Sequence, residues 1–348
     1  MQKKVLVAMS GGVDSSVAAS LVKDLGYECK GITLKLLNSN KDTEEQNTCD
    51  ARLAAHKLGL VHHYLDLKKD FDNKVIRHFI ETYEAGGTPN PCVNCNRNIK
   101  FNIDLYTQSG FDFDFFVTGH YARTEKDESG RWLLKKAKDK KKDQSYVLYC
   151  LTQKQLSRII FPLGNLSKDE TRAIAREKGL LNADREDSQD ICFVPEGDYG
   201  SFIEKYKGKK YPKGDILDLK GNIIGQHKGI IRYTLGQRRG LGVAVNYPVY
   251  VTAINPEANT VTLGDESALL SQTLFARNIN LIAFDTLEKP LRCMVKTRYL
   301  QEEKPALAEQ TGPDELKIIF DEAQRAITPG QAAVLYDGEL VIGGGTIV

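Results

Sequence analysis

Nowhere in this chain of 348 residues does an apolar run approach the ~20 needed to cross a bilayer, so no transmembrane helix is expected. Internal repeats and low-complexity linkers are missing, which argues against a solenoid or a disordered tether. Charge of one sign does not dominate: 48 Lys and Arg against 46 Asp and Glu leave a formal +2, which neither demands nor excludes nucleic acid. The seven cysteines are an odd number spread without a dense framework, so reduced thiols are expected rather than a disulfide scaffold. The first residues, "MQKKVLVAMSGG", run straight into a glycine turn, which reads as a strand and not as a signal peptide, and a cytoplasmic location follows.

What is present points to two or three domains. "KVLVAM" (Lys4 to Met9) is a short apolar strand, and Val13, Val17, Leu21, Val22 and Leu25 then follow helical spacing up to Gly26. "CKGITLKLL", "VHHYLDL" and "FDFFVTGH" read as further strands, with helices over Glu44 to Leu58 and Asp70 to Tyr83 between them. Strands alternating with helices predict a parallel α/β sheet, whose ligands bind beyond the C-terminal strand ends. Ser167 and Glu170 form a capping box that opens a helix to Leu180 and closes a first domain at about residue 200. Residues 201–270 read as a small central α+β domain and 271–348 as a β-barrel with Asp337-Gly338 as a hairpin turn.

"AMSGGVDSSV" lies between the first strand and the first helix. Gly11 and Gly12 let the backbone turn tightly, and amides at a helix N-terminus converge on an anion, usually phosphate. Ser10, Ser15 and Ser16 add hydroxyl donors. Asp14 makes sense there if it holds Mg²⁺ or fixes the loop. The Gly-Lys-Ser/Thr ending of a Walker A loop and the GxGxxG of a dinucleotide site are both absent.

"TPNPCVNCNRNIKF" (Thr88 to Phe101) sets Cys92 and Cys95 at CxxC spacing beside Arg97 and Lys100, on an ordered loop leading into a helix. Cys192 follows Asp187, Ser188, Gln189 and Asp190 in another polar loop. Cys29, Cys150 and Cys293 read as core residues, and Cys49 as structural. Three loop thiols can carry a persulfide, close a transient disulfide, or hold an iron–sulfur cluster with one open iron. Structural zinc would need a fourth ligand, which His120 or His227 could supply only through folding. The lysine run Lys135, Lys136, Lys138, Lys140, Lys141 and Lys142 is either a solvated loop or a phosphate-contacting patch. Arg232, Tyr233, Arg238 and Arg239 form a second basic segment, read as an RNA contact.

"SGGVDSS" resembles the PP-loop of ATP pyrophosphatases, which adenylate a carbonyl oxygen and release pyrophosphate. Together with "GGTPNPCVNCNRNIKF", "VTGHYAR", "KDQSYVLY", "DSQDICFV", "GQHKGIIRYTLGQRRGLG" and "AITPGQAAVLYDGE", in that order, it identifies the chain as a member of the tRNA-specific 2-thiouridylase (MnmA) family. That resemblance implies an adenine nucleotide α-hydrolase-like PP-loop domain, a small central domain and a C-terminal β-barrel. The implied activity is ATP-dependent 2-thiolation of the wobble uridine of tRNAs for Lys, Glu and Gln. Sulfur would come from a cysteine desulfurase or relay protein, and a monomer is expected. Ala8, Met9, Ser10, Gly11, Gly12, Val13, Asp14, Ser15, Leu34 and Gly119 match ATP contacts. Cys95 matches the sulfur-carrying cysteine and Cys192 its partner, while Asn90, Pro91 and Cys92 match the segment that meets the base. His120, Lys142, Asp143, Gln144, Arg298, Tyr299 and Gln331 match tRNA contacts.

Many members carry Asp at the position of Cys92. Its replacement makes Cys92, Cys95 and Cys192 similar to the three-cysteine site of 2-thiocytidine synthetases, so a [4Fe–4S] cluster stands as an alternative to the persulfide route. An ammonia-using PP-loop synthetase would have no use for three loop thiols, and a non-catalytic RNA-binding protein would not need an intact "SGGVDSS".

Overall fold

The computed structural model describes residues 2–37, 42–185, 191–194 and 197–348. Asp187, Ser188, Gln189 and Asp190 lie outside the described residues. β1 (Lys4–Ala8), β2 (Glu28–Lys35), β3 (Val61–Asp66) and β4 (Phe115–Val117) are parallel, in the order β3-β2-β1-β4. After β4 the chain leaves for a hairpin, β5 (Arg123–Lys126) and β6 (Trp132–Lys135), and returns as β7 (Ile159–Ile160) beside β4.

β1 has no polar face because both sides of the sheet are covered. Leu6 enters one core layer, with Phe101, Phe116 and Tyr146, while Val5 and Val7 enter the opposite one. That second layer is closed by α1 (Val13–Asp24) through Val13, Val17, Ala18 and Val22, and by Ala51, Ala54 and Ala55 of α2 (Asp42–Lys57). The helix Lys168–Glu177 starts at the expected capping box, with Ser167 Oγ accepting from Glu170 N at 3.2 Å and Glu170 Oε2 accepting from Ser167 N at 2.7 Å.

The central segment opens with a helix, Tyr199–Lys207, and continues as β8 (Gly214–Leu217), β9 (Ile223–His227), β10 (Tyr250–Asn255) and β11 (Thr260–Gly264), ordered β10-β11-β8-β9. β12 (Leu270–Leu281), β13 (Leu291–Lys296), β14 (Lys304–Gly312), β15 (Glu315–Arg325), β16 (Ala332–Asp337) and β17 (Leu340–Ile347) make an antiparallel barrel. β17 pairs back onto β12 and closes it. Asp337 is still paired, with Leu340, so the hairpin turn is Gly338–Glu339, one residue later than the sequence pattern suggests.

The lysine run is corrected in part by the fold, which takes Lys135 and Lys136 out of the loop. Lys135 lies in β6, opposite Leu340 of β17, and Lys136 N donates to Glu339 O at 2.8 Å. Arg123 Nη2 reaches Glu339 Oε2 at 2.8 Å across the same seam. Lys138, Lys140 and Lys141 are exposed, Lys138 with Glu170 at 3.7 Å. The barrel therefore takes a hairpin from the N-terminal half of the chain. No described helix is long and apolar enough to cross a membrane.

Candidate active site

The phosphate loop leaves β1 at Ala8 and enters α1 at Val13. Gly11 has φ +81, and an added Cβ there would stand 2.3 Å from the Asn47 carbonyl oxygen, so only glycine fits. Gly12 is the N-cap and no side chain caps α1, which leaves first-turn amides for an anion. Ser15 and Ser16 are not spare donors. Both hydroxyls donate to Gly12 O, at 3.0 and 3.1 Å, and Ser15 Oγ also accepts from Ser10 N at 3.1 Å. Ser10 is exposed, and its hydroxyl turns back into the loop, accepting from Gly12 N at 3.4 Å and lying 3.3 Å from Ser15 Oγ.

Asp14 is the fixing element of this loop. Its Oδ1 lies 2.7 Å from Lys168 Nζ and 2.9 Å from Tyr121 Oη. Asn182 Nδ2 donates to Gly11 O at 2.9 Å from the other side, and Arg185 pairs with Asp50 at 2.6 Å beside it. Lys168, Tyr121, Asn182 and Arg185 carry no local sequence signal for this role, because each arrives from far along the chain. Gly119 follows β4 so closely against α1 that a Cβ would fall 2.7 Å from Asp14 C and Ser15 N. Leu34, half-buried at the end of β2, and buried Met9 complete the strand-end floor.

The cysteine segment is helical rather than a loop. Asn90 is the N-cap, its Oδ1 accepting from Val93 N at 3.4 Å, and Pro91 takes the first position, where a missing N–H costs nothing. The helix Pro91–Cys95 widens into a π-type turn, Asn96–Lys100, with Phe101 N bonded to Asn96 O at 3.1 Å. Asn96 is buried and donates to Val147 O at 2.9 Å, and Arg97 donates to Asn278 O at 3.3 Å. The barrel holds the segment's entrance: Gln331 Nε2 donates to Thr88 O at 2.9 Å and Pro89 O at 3.2 Å, and Thr88 N donates to Pro329 O at 2.8 Å.

Cys92, Cys95 and Cys192 are free thiols, and all three act electrostatically on Lys100. Cys95 is 6% exposed, and burial pushes its thiol up to about 12 against the opposing pull of Lys100. Cys192 is exposed, yet enough protein surrounds its sulfur to raise the thiol, with Lys100 again opposing. Burial alone would lower the Lys100 ammonium, and the fields of Cys95, Cys92 and Cys192 reverse that direction. His120 sits behind, Nδ1 2.8 Å from Thr118 Oγ1 and its ring 5.5 Å from Phe101, held neutral at about 3 by burial and by Lys100. Lys100 thus acts electrostatically on both the thiols and His120, and His120 follows Gly119, which packs on Asp14 of the phosphate loop. Cys150 and Cys293 are buried, as expected for core residues, while Cys29 and Cys49 are half-buried.

The residues matched to tRNA contacts fall into two groups. Asp143 Oδ1 accepts from Ala137 N at 2.9 Å, and Gln144 Oε1 accepts from Tyr121 N at 2.9 Å, next to Lys142 and the phosphate loop. Arg298, Tyr299 and Gln331 surround the cysteine segment. Arg298 Nη2 donates to Thr328 Oγ1 at 2.8 Å and to Leu235 O at 3.2 Å. Tyr299 is raised to about 12 by burial, with Asp143 and Cys92 adding to it. The second basic segment is corrected in part: Tyr233 is 4% exposed and Arg232 pairs with Glu204 at 2.9 Å, so neither is available to stack on RNA. Arg238 and Arg239 remain exposed. His227 is buried and bonded to Asn259 O at 2.9 Å, away from any thiol role.

Among the described residues, no group of three or more His, Cys, Asp or Glu side chains is arranged to hold a metal ion. Cys92, Cys95 and Cys192 are among those residues, so their side chains are not set as the ligands of a cluster here.

Three family profiles match the chain end to end: a tRNA methyl transferase HUP domain over residues 3–196, a tRNA methyl transferase PRC-barrel domain over 200–265 and an aminomethyltransferase beta-barrel domain over 271–347. A tRNA-specific 2-thiouridylase of Clostridioides difficile is 48% identical over 100% of this chain and 98% of its own length. One from Acetivibrio thermocellus is 46% identical over 99% of each. Among solved structures, a U34-tRNA thiolase of Methanococcus maripaludis with its [4Fe-4S] cluster covers 59% of this chain and 66% of its own at 17% identity, with a TM-score of 0.35, too distant to bear on the chemistry.

Proposed function

The chain belongs to the tRNA-specific 2-thiouridylase family, and from that membership we propose that it is an ATP-dependent tRNA sulfurtransferase acting on the wobble uridine of tRNAs for Lys, Glu and Gln. The observation that carries this reading is that one lysine, Lys100, acts on three thiols and on His120, whose neighbour Gly119 packs against the phosphate loop. An ammonia-using synthetase has no need of three thiols there.

ATP lies over the first turn of α1, where uncapped amides receive its phosphates. Mg²⁺, which offsets phosphate charge, would be held beside Asp14, the loop carboxylate now engaged by Lys168 and Tyr121. The uracil 2-oxygen attacks the α-phosphorus and pyrophosphate leaves, so carbon 2 becomes electrophilic. The wobble base reaches this point only by leaving its stack. Asn90, Pro91 and Cys92 receive it, with Tyr299 alongside. Lys142 and the exposed lysines meet the backbone phosphates.

The burial pattern favours a particular division between the thiols. A donor's sulfur must reach the acceptor, and Cys192 is exposed while Cys95 is buried. We therefore assign the persulfide to Cys192 and the resolving role to Cys95, the reverse of the assignment carried by family resemblance. The terminal sulfur of the Cys192 persulfide attacks carbon 2, and AMP leaves with the original oxygen. Cys95, after losing its proton to water, attacks Cys192 Sγ. The S–S electron pair passes to the base as the thiocarbonyl, and a Cys95–Cys192 disulfide remains, which a dithiol reductant resets. A cysteine desulfurase or relay protein of the cytoplasm supplies the persulfide, and the enzyme acts as a monomer.

The test incubates the protein with unmodified tRNA, ATP and a persulfide-loaded desulfurase, without reductant. 2-Thiouridine and tRNA-dependent AMP are expected. Cys95→Ala should trap tRNA on Cys192 as an adduct released by dithiothreitol. An adduct on Cys95 in Cys192→Ala would reverse the division of roles, and the lack of both 2-thiouridine and AMP would sink the function.

A further inference from the structure

Of the two cations in the cysteine segment, Arg97 is spent on the Asn278 carbonyl, and the other, Lys100, has no such carbonyl among the described residues. We propose that Lys100 is a positioning residue for sulfur transfer, its ammonium serving as the fixed counter-charge of Cys92, Cys95 and Cys192. The role rests on the persulfide reading above.

The widened turn puts it there. In an ordinary helix, residues five apart point to different faces, whereas an i→i+5 turn brings them nearly one above the other. Cys95 and Lys100 are five apart, and Asn96–Lys100 is that turn. The Lys100 backbone is pinned by Tyr106 Oη, which donates to its carbonyl at 2.8 Å, and Phe101 is fully buried beneath it. Lys100 is half-buried, and among the described residues no carboxylate pairs with it. The groups facing it are the three thiols and a neutral His120.

A partly buried ammonium without an anion is costly, and such arrangements persist where an anion arrives during function. The sulfurs favour the ammonium only as thiolates, and burial resists that ionisation at Cys95, so the resting segment gives Lys100 little counter-charge. The anions arrive in sequence: the persulfide on Cys192, the Cys95 thiolate that attacks it, and thiolates again when the disulfide is reduced. A single ammonium whose field acts on all three sulfurs serves each step.

An opposite charge at such range favours a thiolate by about tenfold or more. The experiment uses the full-length protein with Lys100→Met and Lys100→Arg, and with Lys100→Gln if the methionine variant does not fold. Circular dichroism melts establish folding. Iodoacetamide labelling resolved by peptide mass spectrometry gives the alkylation rate of exposed Cys192, which follows its thiolate fraction. Lys100→Met should slow that rate about tenfold and 2-thiouridine formation at least as much, and Lys100→Arg should restore both to within about threefold. A wild-type alkylation rate in folded Lys100→Met overturns the proposal, as does an arginine variant no better than the methionine one. A wild-type protein that forms no 2-thiouridine would instead end the persulfide reading, while the alkylation comparison would still decide on Lys100.

Discussion

Gln331, in the loop between β15 and β17's partner strand β16, donates its side-chain amide to the carbonyl of Thr88 at 2.9 Å. The C-terminal barrel thereby sets the angle at which the cysteine segment leaves the α/β domain. Gln331→Leu removes this bond and the longer one to Pro89 O, leaving two backbone acceptors without a partner. A loss of about 1–2 kcal/mol in a urea melt is expected, with a larger fall in 2-thiouridine yield than in tRNA-dependent AMP release. Equal falls in both would mean that Gln331 acts on tRNA binding and not on the segment.

Lys168 and Asp14 are a largely buried pair, 2.7 Å apart, and breaking such a pair strands a charge. Lys168→Met should destabilise the protein by about 3 kcal/mol, and the double variant with Asp14→Asn should recover part of that. Chemical denaturation of the four proteins in a mutant cycle measures the coupling. No recovery in the double variant would contradict the pairing.

Gly119→Ala places a methyl group 2.7 Å from the backbone of Asp14 and Ser15. The first turn of α1 must shift, at a cost of about 1–3 kcal/mol. Because that turn carries the amides of the phosphate loop, ATP affinity should fall more than tRNA affinity. Titration of each ligand separately is the check, and equal losses would count against this placement of the nucleotide.

His120 predicts a pH dependence. Burial, aided by Lys100, holds the folded imidazole at about 3, against 6.5 for an exposed one. Between those values the unfolded chain takes up a proton that the folded chain refuses. Stability is therefore full above about 6.5 and is lost as pH falls, by up to about 1.4 kcal/mol per pH unit from this group. His62 and His78 are shifted the same way by burial, so the readout is the difference between wild type and His120→Asn. Urea melts at pH 7.5, 6 and 5 should show a shallower decline in the variant. Parallel curves would place His120 in water.

What could be read before folding was what depends on neighbours in sequence. β1, the glycine turn after it and the Ser167–Glu170 box are local patterns, and each stands where its residues implied. β6 was hidden because four residues, Trp132 to Lys135, at the head of a lysine run are too short a pattern to announce a strand, and its place is set by pairing with β5 and β17. Arg232 and Tyr233 have the composition of an RNA contact, and only their burial against Glu204 and His227 shows a structural role. The partner of Asp14 was equally out of reach, since nothing near Asp14 announces a lysine so far downstream. Lys100 was visible as a cation beside two cysteines. The turn that aims it at them was not.

The seam between β6 and β17 has a consequence for synthesis on the ribosome. When β6 emerges, its free edge has no mate, because Leu340 and Val341 are translated last of all the residues that touch it. Arg123 and Lys136 likewise wait for Glu339. The nascent nucleotide-binding half must therefore hold an unpaired hairpin through most of translation. Its basic side chains suit that interval, since lysine on an open edge discourages pairing with other chains. A message cut short before this last strand would yield a protein that has its thiols and its phosphate loop but lacks the clasp joining its two ends.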